Sequence, residues 1–269
     1  QGGGKVQISV VIPAYNAGQF IEETLESVYA QTYPPFEVIV VDDGSLDYTQ
    51  KKVEKFLARH HSLTYIRQSN SGVAKARNVG IQVASGSWLA FMDADDLWIQ
   101  TKLETQVKFL KDNPHVDHLS AHATPFEGGK DRTHVPDSGF GHRGNGVVEH
   151  AALLLTIWNP IIMSSVMIRK SSVSELGGFD ESLVVAEDHE LWLRLAMHGY
   201  IFAYQHQKLV RKRIHEHNLS RNIALYKQEQ EKFLPKKCPA QAGPMGGEKE
   251  PFCVLACERN FSGLSRARS

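Results

Sequence analysis

Trp88-Leu-Ala-Phe-Met-Asp-Ala-Asp-Asp96 is an apolar run that ends abruptly in three carboxylates, Asp93, Asp95 and Asp96. A strand alternates its side chains with period two, so Asp93 and Asp95 leave its end on the same side. Two nearby carboxylates repel each other and are costly to desolvate unless a cation or strong donors meet them. Such a pair at the C-terminal end of a strand, where open α/β sheets place their ligands, points to a divalent metal carrying a phosphorylated substrate. A solvated acidic turn, or a cap for the helix that follows, is the alternative. The stretch taken alone leaves both open.

Upstream, Gln7 to Ile12 is nearly continuous in apolar character, as a strand covered on both faces should be, and Pro13 ends it. Ile21, Leu25 and Val28 then recur at helical spacing, with Glu22, Glu23 and Glu26 between them. Pro34 and Pro35 break that helix before a second buried strand, Glu37 to Val41, which runs into Asp42-Asp43-Gly44-Ser45. A further helix carries Val53, Phe56 and Leu57, a short strand follows near Thr64 to Arg67, and Ser71-Gly72 opens a helix reaching about Ala84. Strands alternating with helices at this spacing predict an α/β fold with a mostly parallel sheet wrapped by helices. Functional groups should gather after Ile12, Val41 and Met92. Tyr15 and Asn16, Asp42 and Asp43, and Asp93 and Asp95 occupy those three places, and the coincidence favours a site over a solvated turn.

Downstream, a helix is expected from Trp98 to about Asn113, ended by Pro114. Ala121 to Asn145 is rich in Gly, His, Pro and Asp and reads as a long loop. His115, His118 and His122 invite a zinc reading, but no acidic or thiol ligand is spaced to match, so that reading is set aside. Val147 to Ile157 is expected as helix, Ile161 to Ile168 as strand, and Gly177-Gly178-Phe179-Asp180 as a turn. In Ala186 to Leu195, Asp188 shares a helical face with Leu191, Trp192 and Leu195. A carboxylate heading an apolar face points at the body of the protein, although a helix-start carboxylate favoured by the macrodipole would look the same. Tyr200 to Tyr204 is expected as a strand, Leu209 to Ile214 follows with three basic residues, Arg211, Lys212 and Arg213, and a polar helix runs from about Arg221 to Phe233. Residues 1–5 read as a flexible lead, 6–233 as one domain with halves 6–113 and 114–233, and 234–269 as an irregular tail.

At 269 residues the chain can bury a substantial core. Lys plus Arg and Asp plus Glu number 30 each, so no global basic field recommends nucleic acid as a partner. The longest apolar runs are too short to cross a bilayer. The three cysteines, Cys238, Cys253 and Cys257, all fall in the tail, which does not read as a disulfide framework. A reducing, cytoplasmic setting is the simplest expectation.

The order of motifs resembles the family 2 glycosyltransferases of GT-A fold. The matching pieces are Val10-Val-Ile-Pro-Ala-Tyr-Asn16, Val40-Val-Asp-Asp-Gly-Ser45, Ser71-Gly-Val-Ala-Lys-Ala-Arg-Asn78, Phe91-Met-Asp-Ala-Asp-Asp96, and Gly177-Gly-Phe-Asp180 followed by Glu187-Asp188 and Leu191-Trp-Leu-Arg194. Each alone is weak, and five in order are specific. The resemblance implies a three-layer α/β/α sandwich and a nucleotide-sugar donor, commonly a uridine diphosphate sugar. Pro13, Tyr15 and Asn16 would line the nucleotide pocket, and Asp43 would hydrogen-bond the base. Lys75, Arg77 and Asn78 would meet the donor nucleotide and its phosphates. Asp93 and Asp95 would form the Asp-X-Asp motif, Asp93 near the ribose and Asp95 on Mg²⁺ or Mn²⁺, with His215 reaching the diphosphate or metal. Asp188 would be the catalytic base, with Glu187 and Trp192 on the acceptor side.

Diphosphate is a poor leaving group unless its charge is neutralised, which suits a hard divalent cation on carboxylates. An acceptor hydroxyl must lose a proton as it attacks, so one carboxylate is needed as base, and a single base implies direct displacement with inversion. The acceptor would be a glycan, a lipid-linked or a small molecule, in cell-envelope or exopolysaccharide assembly, with peripheral association at the inner face of a membrane. A nucleotidyltransferase is a rival reading, but it wants a Gly-rich basic loop after the first strand, and Pro13-Ala-Tyr-Asn-Ala-Gly18 lacks one. A non-catalytic nucleotide-sugar-binding relative is the other rival, and retention of Asp43, Asp93, Asp95 and Asp188 together counts against it.

Overall fold

Strand β1 (Ile8–Ala14) leads through α1 (Ile21–Tyr29) to β2 (Glu37–Asp42), and α2 (Thr49–Leu57) leads on to β3 (Leu63–Arg67). The chain then returns through α3 (Val73–Val83) to β4 (Trp88–Phe91) on the other flank of β1. Next come β5 (Leu97–Trp98), α4 (Lys102–Asp112), β6 (His118–Glu127), β7 (Lys130–Asp131) and β8 (Gly146–Val147). Then follow α5 (Ala151–Ile157), β9 (Met167–Arg169), α6 (Lys170–Glu175), α7 (Glu187–Met197), β10 (Phe202–Arg213) and α8 (Ile223–Phe233). The computed structural model describes residues 5–132, 145–216 and 218–234, so the expectations for the lead before Lys5 and the cysteine-bearing tail after Leu234 fall outside the described residues.

The strands join in the order β3-β2-β1-β4-β9-β6-β10-β5, with β7 on β6 and β8 on β10. The pairs β1–β2, β1–β4, β2–β3 and β6–β10 are parallel, whereas β9 runs antiparallel to both β4 and β6. The result is an α/β fold around a mixed, mostly parallel sheet. Alternation along each buried strand feeds a core on either face. Ile8, Val10 and Ile12 pack with Leu25, Val53 and Leu103 on one side. Val11, Ile39 and Phe91 pack with Ala76, Leu191 and Trp192 on the other. Helix α3 lies close on the sheet at Gly80, where a Cβ would stand 2.4 Å from Val11 Cγ1, so any side chain there would force the layers apart. Because the chain proceeds outward from β1 to β2 and β3 and then returns to β4, the strand order reverses at the β1–β4 boundary. Open α/β sheets bind ligands at that switch point.

Four sequence expectations are corrected. Residues from Ala121 do not begin a loop: His118–Glu127 is an interior strand, buried through Ala123. Its His, Pro and Thr residues hide a strand because neighbours on both sides supply the ladder. Only residues 133–144 of that expected loop lie outside the described residues. Val147 to Ile157 is not one helix, since β8 pairs with β10 before α5 begins at Ala151. Ile161 to Ile168 is not one strand: Met163–Ser165 forms a 3-10 turn and only Met167–Arg169 is extended. The start of the Trp98 helix yields Leu97–Trp98 to the sheet edge as β5. Among the described residues no helix is long and apolar enough to cross a membrane.

One buried charge stands apart from the site. Lys102 is fully buried (0% exposed), with Nζ donating to Gln106 Oε1 (2.7 Å) and lying 4.1 Å from the centre of the Trp98 ring. Burial pushes its amine well below the ordinary lysine value of 10.5. Below 10.5 the unfolded chain binds the proton more readily than the folded one, so this residue opposes folding and does so less as pH rises toward 10.5. Lys102→Met is therefore expected to stabilise the protein at pH 7, on the order of 1 kcal/mol. Its advantage should shrink in denaturant titrations at alkaline pH; a variant less stable than wild type at pH 7 would mean that the Trp98 contact outweighs burial.

Candidate functional site

The C-terminal ends of β1, β2 and β4, parallel neighbours, lie side by side at the sheet edge where open α/β sheets form their binding crevice, and backbone geometry explains why each end carries the residues it does. After β1, Asn16 adopts a left-handed φ of 48°, a conformation that Asn tolerates better than most residues. Its N–H donates to Ser45 Oγ (2.9 Å) and its Oδ1 accepts from Leu46 N–H (2.9 Å), which ties the β1 loop to the β2 loop. Tyr15 is half exposed above this junction (51%), whereas Pro13 is buried in β1. After β2, the two adjacent aspartates divide. Asp42 is a framework group, accepting from Ser45 N–H (2.7 Å) and Tyr65 Oη (2.5 Å). Asp43 accepts from Gln68 Nε2 and Ser71 N–H at Oδ1 and from Gly72 N–H at Oδ2, each at 2.8 Å. It therefore anchors the loop that opens α3, and most of its acceptor capacity is already committed to the protein.

Helix α3 presents its polar residues to different tasks. Lys75 is exposed and pairs with Glu181 (3.1 Å). Asn78 is buried: Oδ1 accepts from Phe179 N–H (2.8 Å) and Nδ2 donates to Phe179 O and Glu181 Oε1, both at 2.9 Å. Gly178 has φ of 80°, and a Cβ there would stand 2.5 Å from Asn78 Oδ1, so the double-glycine turn is the shape that this asparagine requires. Asn78, expected at the donor, here holds the Gly177–Asp180 turn. Arg77 is likewise buried (4% exposed). Its guanidinium bridges Glu187 Oε1 (2.5 Å) and Asp93 Oδ1 (2.9 Å), so it meets carboxylates of the protein rather than standing open to phosphates. The resemblance implies an arginine at the donor but does not show that two acids from distant segments claim it.

The three carboxylates after β4 separate by role. Asp93 keeps a partly exposed side chain on Arg77, and its N–H donates to Ser164 Oγ (3.0 Å). Asp96 is fully buried and accepts from Ser164 Oγ (2.6 Å) and Arg213 N–H (2.8 Å). It is not a helix cap, for α4 starts after Thr101; it pins the loop to the 163–165 turn and to β10. Asp95 Oδ2 accepts from His215 Nε2 (2.7 Å) and Asn218 Nδ2 (3.3 Å), and Arg213 Nε donates to Asp95 O (2.8 Å). Burial, then the charge of Asp93, raises the Asp95 carboxyl above its ordinary range, with His215 opposing. Burial, then Asp95 and Asp93, raises Asp96 well above its own. A cluster whose carboxylates raise one another is short of positive charge, and a cation would relieve it. Among the described residues no three His, Cys, Asp or Glu side chains converge as a ready-made metal cage. Asp95 and His215 touch each other while Asp93 is held on Arg77, and the carboxylate oxygens are hard donors of the kind that suits Mg²⁺ or Mn²⁺ held by one or two carboxylates together with substrate phosphates.

Across the crevice stands the start of α7. Asp188 is partly exposed, and its Oδ1 accepts from His189 N–H (2.6 Å). Burial raises its carboxyl, opposed by Arg77 and by that amide. Glu187 is more deeply buried and is pushed up to about 7, again chiefly by burial and against Arg77. Of the two neighbours, Glu187 is clamped on Arg77 and Asp188 is the one a substrate can reach. Trp192, expected on the acceptor side, is fully buried in the core, edge-on to His118 (4.7 Å) and Phe179 (6.3 Å). Ser164, Arg213 and Asn218 were not anticipated. A serine inside an apolar run and an asparagine in a polar loop carry no periodic signal, and their partners lie far away in sequence.

A family model described as glycosyl transferase family 2 matches residues 9–176. The putative teichuronic acid biosynthesis glycosyltransferase TuaG of Bacillus subtilis (strain 168) is 31% identical over 221 residues, covering 81% of this chain and 83% of that protein. The UDP-Glc:alpha-D-GlcNAc-diphosphoundecaprenol beta-1,3-glucosyltransferase WfgD of Escherichia coli is 41% identical over 107 residues, 39% of this chain and 42% of that one. The chain spans only 26% to 30% of the length of three uncharacterized Rickettsia glycosyltransferases that it also matches. In solved structures, S. aureus TarS 1-349 in complex with UDP-GlcNAc aligns with a TM-score of 0.68 and 26% identity, over 80% of this chain and 61% of that chain.

Proposed function

The chain belongs to glycosyl transferase family 2, and on that footing we propose that it moves a sugar from a nucleoside diphosphate donor to an acceptor hydroxyl with inversion at the anomeric carbon. The observation that carries the reading is the Arg77 bridge, which brings Asp93 at the end of β4 and Glu187 at the start of α7 to one guanidinium. In this reading the two carboxylate stations that meet on that guanidinium, far apart in the chain, serve the leaving group and the acceptor respectively.

In this reading Tyr15, Asn16 and Asp43 border the nucleotide and Lys75 stands at the rim of its pocket. Asp95, with Asp93 beside it and His215 as an additional ligand, would hold Mg²⁺ or Mn²⁺, which when bound neutralises the diphosphate leaving group. Asp188 takes the proton of the acceptor hydroxyl as that oxygen bonds to the anomeric carbon. The bond from that carbon to the diphosphate oxygen breaks, and the oxygen leaves with the electron pair. A carboxyl raised by burial serves better as a base near neutral pH than an ordinary aspartate. The clamp on Glu187 leaves Asp188 as the single free base, which supports one displacement and hence inversion. Uridine diphosphate as the carrier is supported by the likeness to the UDP-GlcNAc complex of TarS. A lipid-linked glycan acceptor is supported by the acceptor in the name of WfgD, and cell-envelope polysaccharide assembly by that of TuaG.

The test is a panel of nucleotide sugars with Mn²⁺, read as released nucleoside diphosphate in the presence and absence of acceptor. Release of pyrophosphate from a nucleoside triphosphate and a sugar phosphate would instead mark a nucleotidyltransferase. Asp95→Ala is expected to abolish the gain in UDP affinity that Mn²⁺ brings. Titration calorimetry showing the same Mn²⁺-dependent gain in wild type and variant would remove Asp95 from the metal site.

A further inference from the structure

Helix α8 stands outside the crevice, yet its side chains converge on the entry to α7. Glu229 is almost fully buried (1% exposed), and its carboxylate accepts three consecutive amides. Val184 N–H reaches Oε1 at 2.8 Å, and Val185 N–H and Ala186 N–H reach Oε2 at 3.0 Å. These residues lead directly into Glu187 and Asp188. Amides at a helix entry have no partner within the helix, and a carboxylate placed there is favoured by the dipole as well. A buried carboxylate is stable only with such donors, so Glu229 and the 184–186 backbone fix one another.

A second tie lies beside it. His189 Nε2 is 2.6 Å from Leu155 O, which can only accept, so Nε2 carries the proton and Nδ1 is the acceptor. Tyr226 Oη donates to that Nδ1 (2.8 Å), with Gln230 Nε2 at 3.3 Å and the Phe233 ring edge-on at 5.3 Å. His189 is thus held between α5 and α8, next to the residue proposed as base. Helix α8 also continues the loop in which His215 and Asn218 bond to Asp95. One short segment therefore touches both stations of the crevice.

We propose that α8 is a strap that aims the base, with Glu229 as a positioning residue for Asp188 and Tyr226 as its second tie through His189. The inference rests on Asp188 being the base, as proposed above. All of Glu229's amide partners lie on the base side of the crevice, so losing it misdirects the base and spares the nucleotide pocket. Glu229→Ala is expected to lower kcat by about 10- to 100-fold, the scale of a misplaced catalytic group, with donor KM and UDP affinity unchanged. Glu229→Gln, which keeps an acceptor oxygen, should recover part of the loss. Glu231→Ala, on the exposed face of the same helix, should behave as wild type. If Glu229→Ala does not fold, Tyr226→Phe reads the same split between kcat and KM. Wild-type kcat in Glu229→Ala and Tyr226→Phe, with Asp188→Asn inactive, would overturn the strap alone. So would equal losses in kcat and UDP affinity, which general loosening produces. An Asp188→Asn variant that turns over normally would overturn the base assignment itself.

Discussion

Arg77→Met should cost about 3–5 kcal/mol of folding stability, because it leaves buried carboxylates without the cation that neutralises them. For a chain of this size that corresponds to a fall in Tm of roughly 6–20 °C. The guanidinium bonds Glu187 and Asp93 directly and also holds down the Asp188 carboxyl through its charge. A methionine of similar length fills the space and offers no donor. Arg77→Lys should recover only part of the loss, since an ammonium cannot supply the two-pronged fork that two separate acids require. The pH dependence gives a second check. Glu187 has a folded value raised to about 7 from its ordinary 4.5. Its protonated form thus favours folding fully below about 4.5, and that contribution is lost as pH rises through 7. Acid therefore removes the charge that Arg77 balances, and the stability gap between wild type and Arg77→Met should narrow from pH 7 to pH 4.5. A gap that stays constant over this window would show that Arg77 contributes packing and not charge balance.

Asp188→Asn is expected to lower kcat by about 10²–10⁴-fold, the usual worth of a general base, while UDP and Mn²⁺ affinities stay as in wild type. The substitution keeps the shape and one acceptor oxygen for His189 N–H, so the start of α7 should survive it. In wild type the acidic limb of the kcat profile should lie above the ordinary aspartate range, because burial raises this carboxyl. Below that limb the base is protonated and cannot take the acceptor's proton. In Asp188→Asn the residual rate should lose that limb. Wild-type turnover in the Asn variant, measured as acceptor-dependent release of nucleoside diphosphate, would end the assignment.

Periodicity read β1, β2 and β4 correctly because each is buried on both faces, and that burial leaves a continuous apolar run in the chain. The same physics concealed β6, where His118, Ser120 and His122 are buried, His118 against the Trp192 and Phe202 rings and His122 Nδ1 3.2 Å from Tyr204 Oη. His118 illustrates the point: burial pushes its ring down to about 3, so it behaves as a neutral aromatic stacked on Phe202 (4.3 Å), and metal spacing was the wrong question to ask of it. At the candidate site, strand ends singled out Asp43, Asp93 and Asp95 and a helical face singled out Asp188, whereas Arg77 and Glu187 entered only through the family resemblance. Their division of labour was hidden. Whether an arginine stands free for phosphate or is claimed by acids, and which of several adjacent aspartates is framework, depends on Glu187, Ser164 and Arg213. Those residues lie many positions from the groups they hold, so the pairings themselves are not legible in any local pattern.

Strand β9 also sets an order of events during synthesis. Among the described residues, only Met167–Arg169 joins β4 to β6. The first four long strands can assemble as soon as Phe91 has emerged, but β4 then remains an open edge until some seventy-five further residues have been made. An unpaired apolar edge is a template for pairing with other chains, and closing it requires a contact of long sequence separation, which folds slowly. Aggregation of nascent or truncated chains ending before Met167 is the expected hazard of this architecture. The three-residue strand in the middle of the sheet is thus the latch whose late arrival protects the half already built.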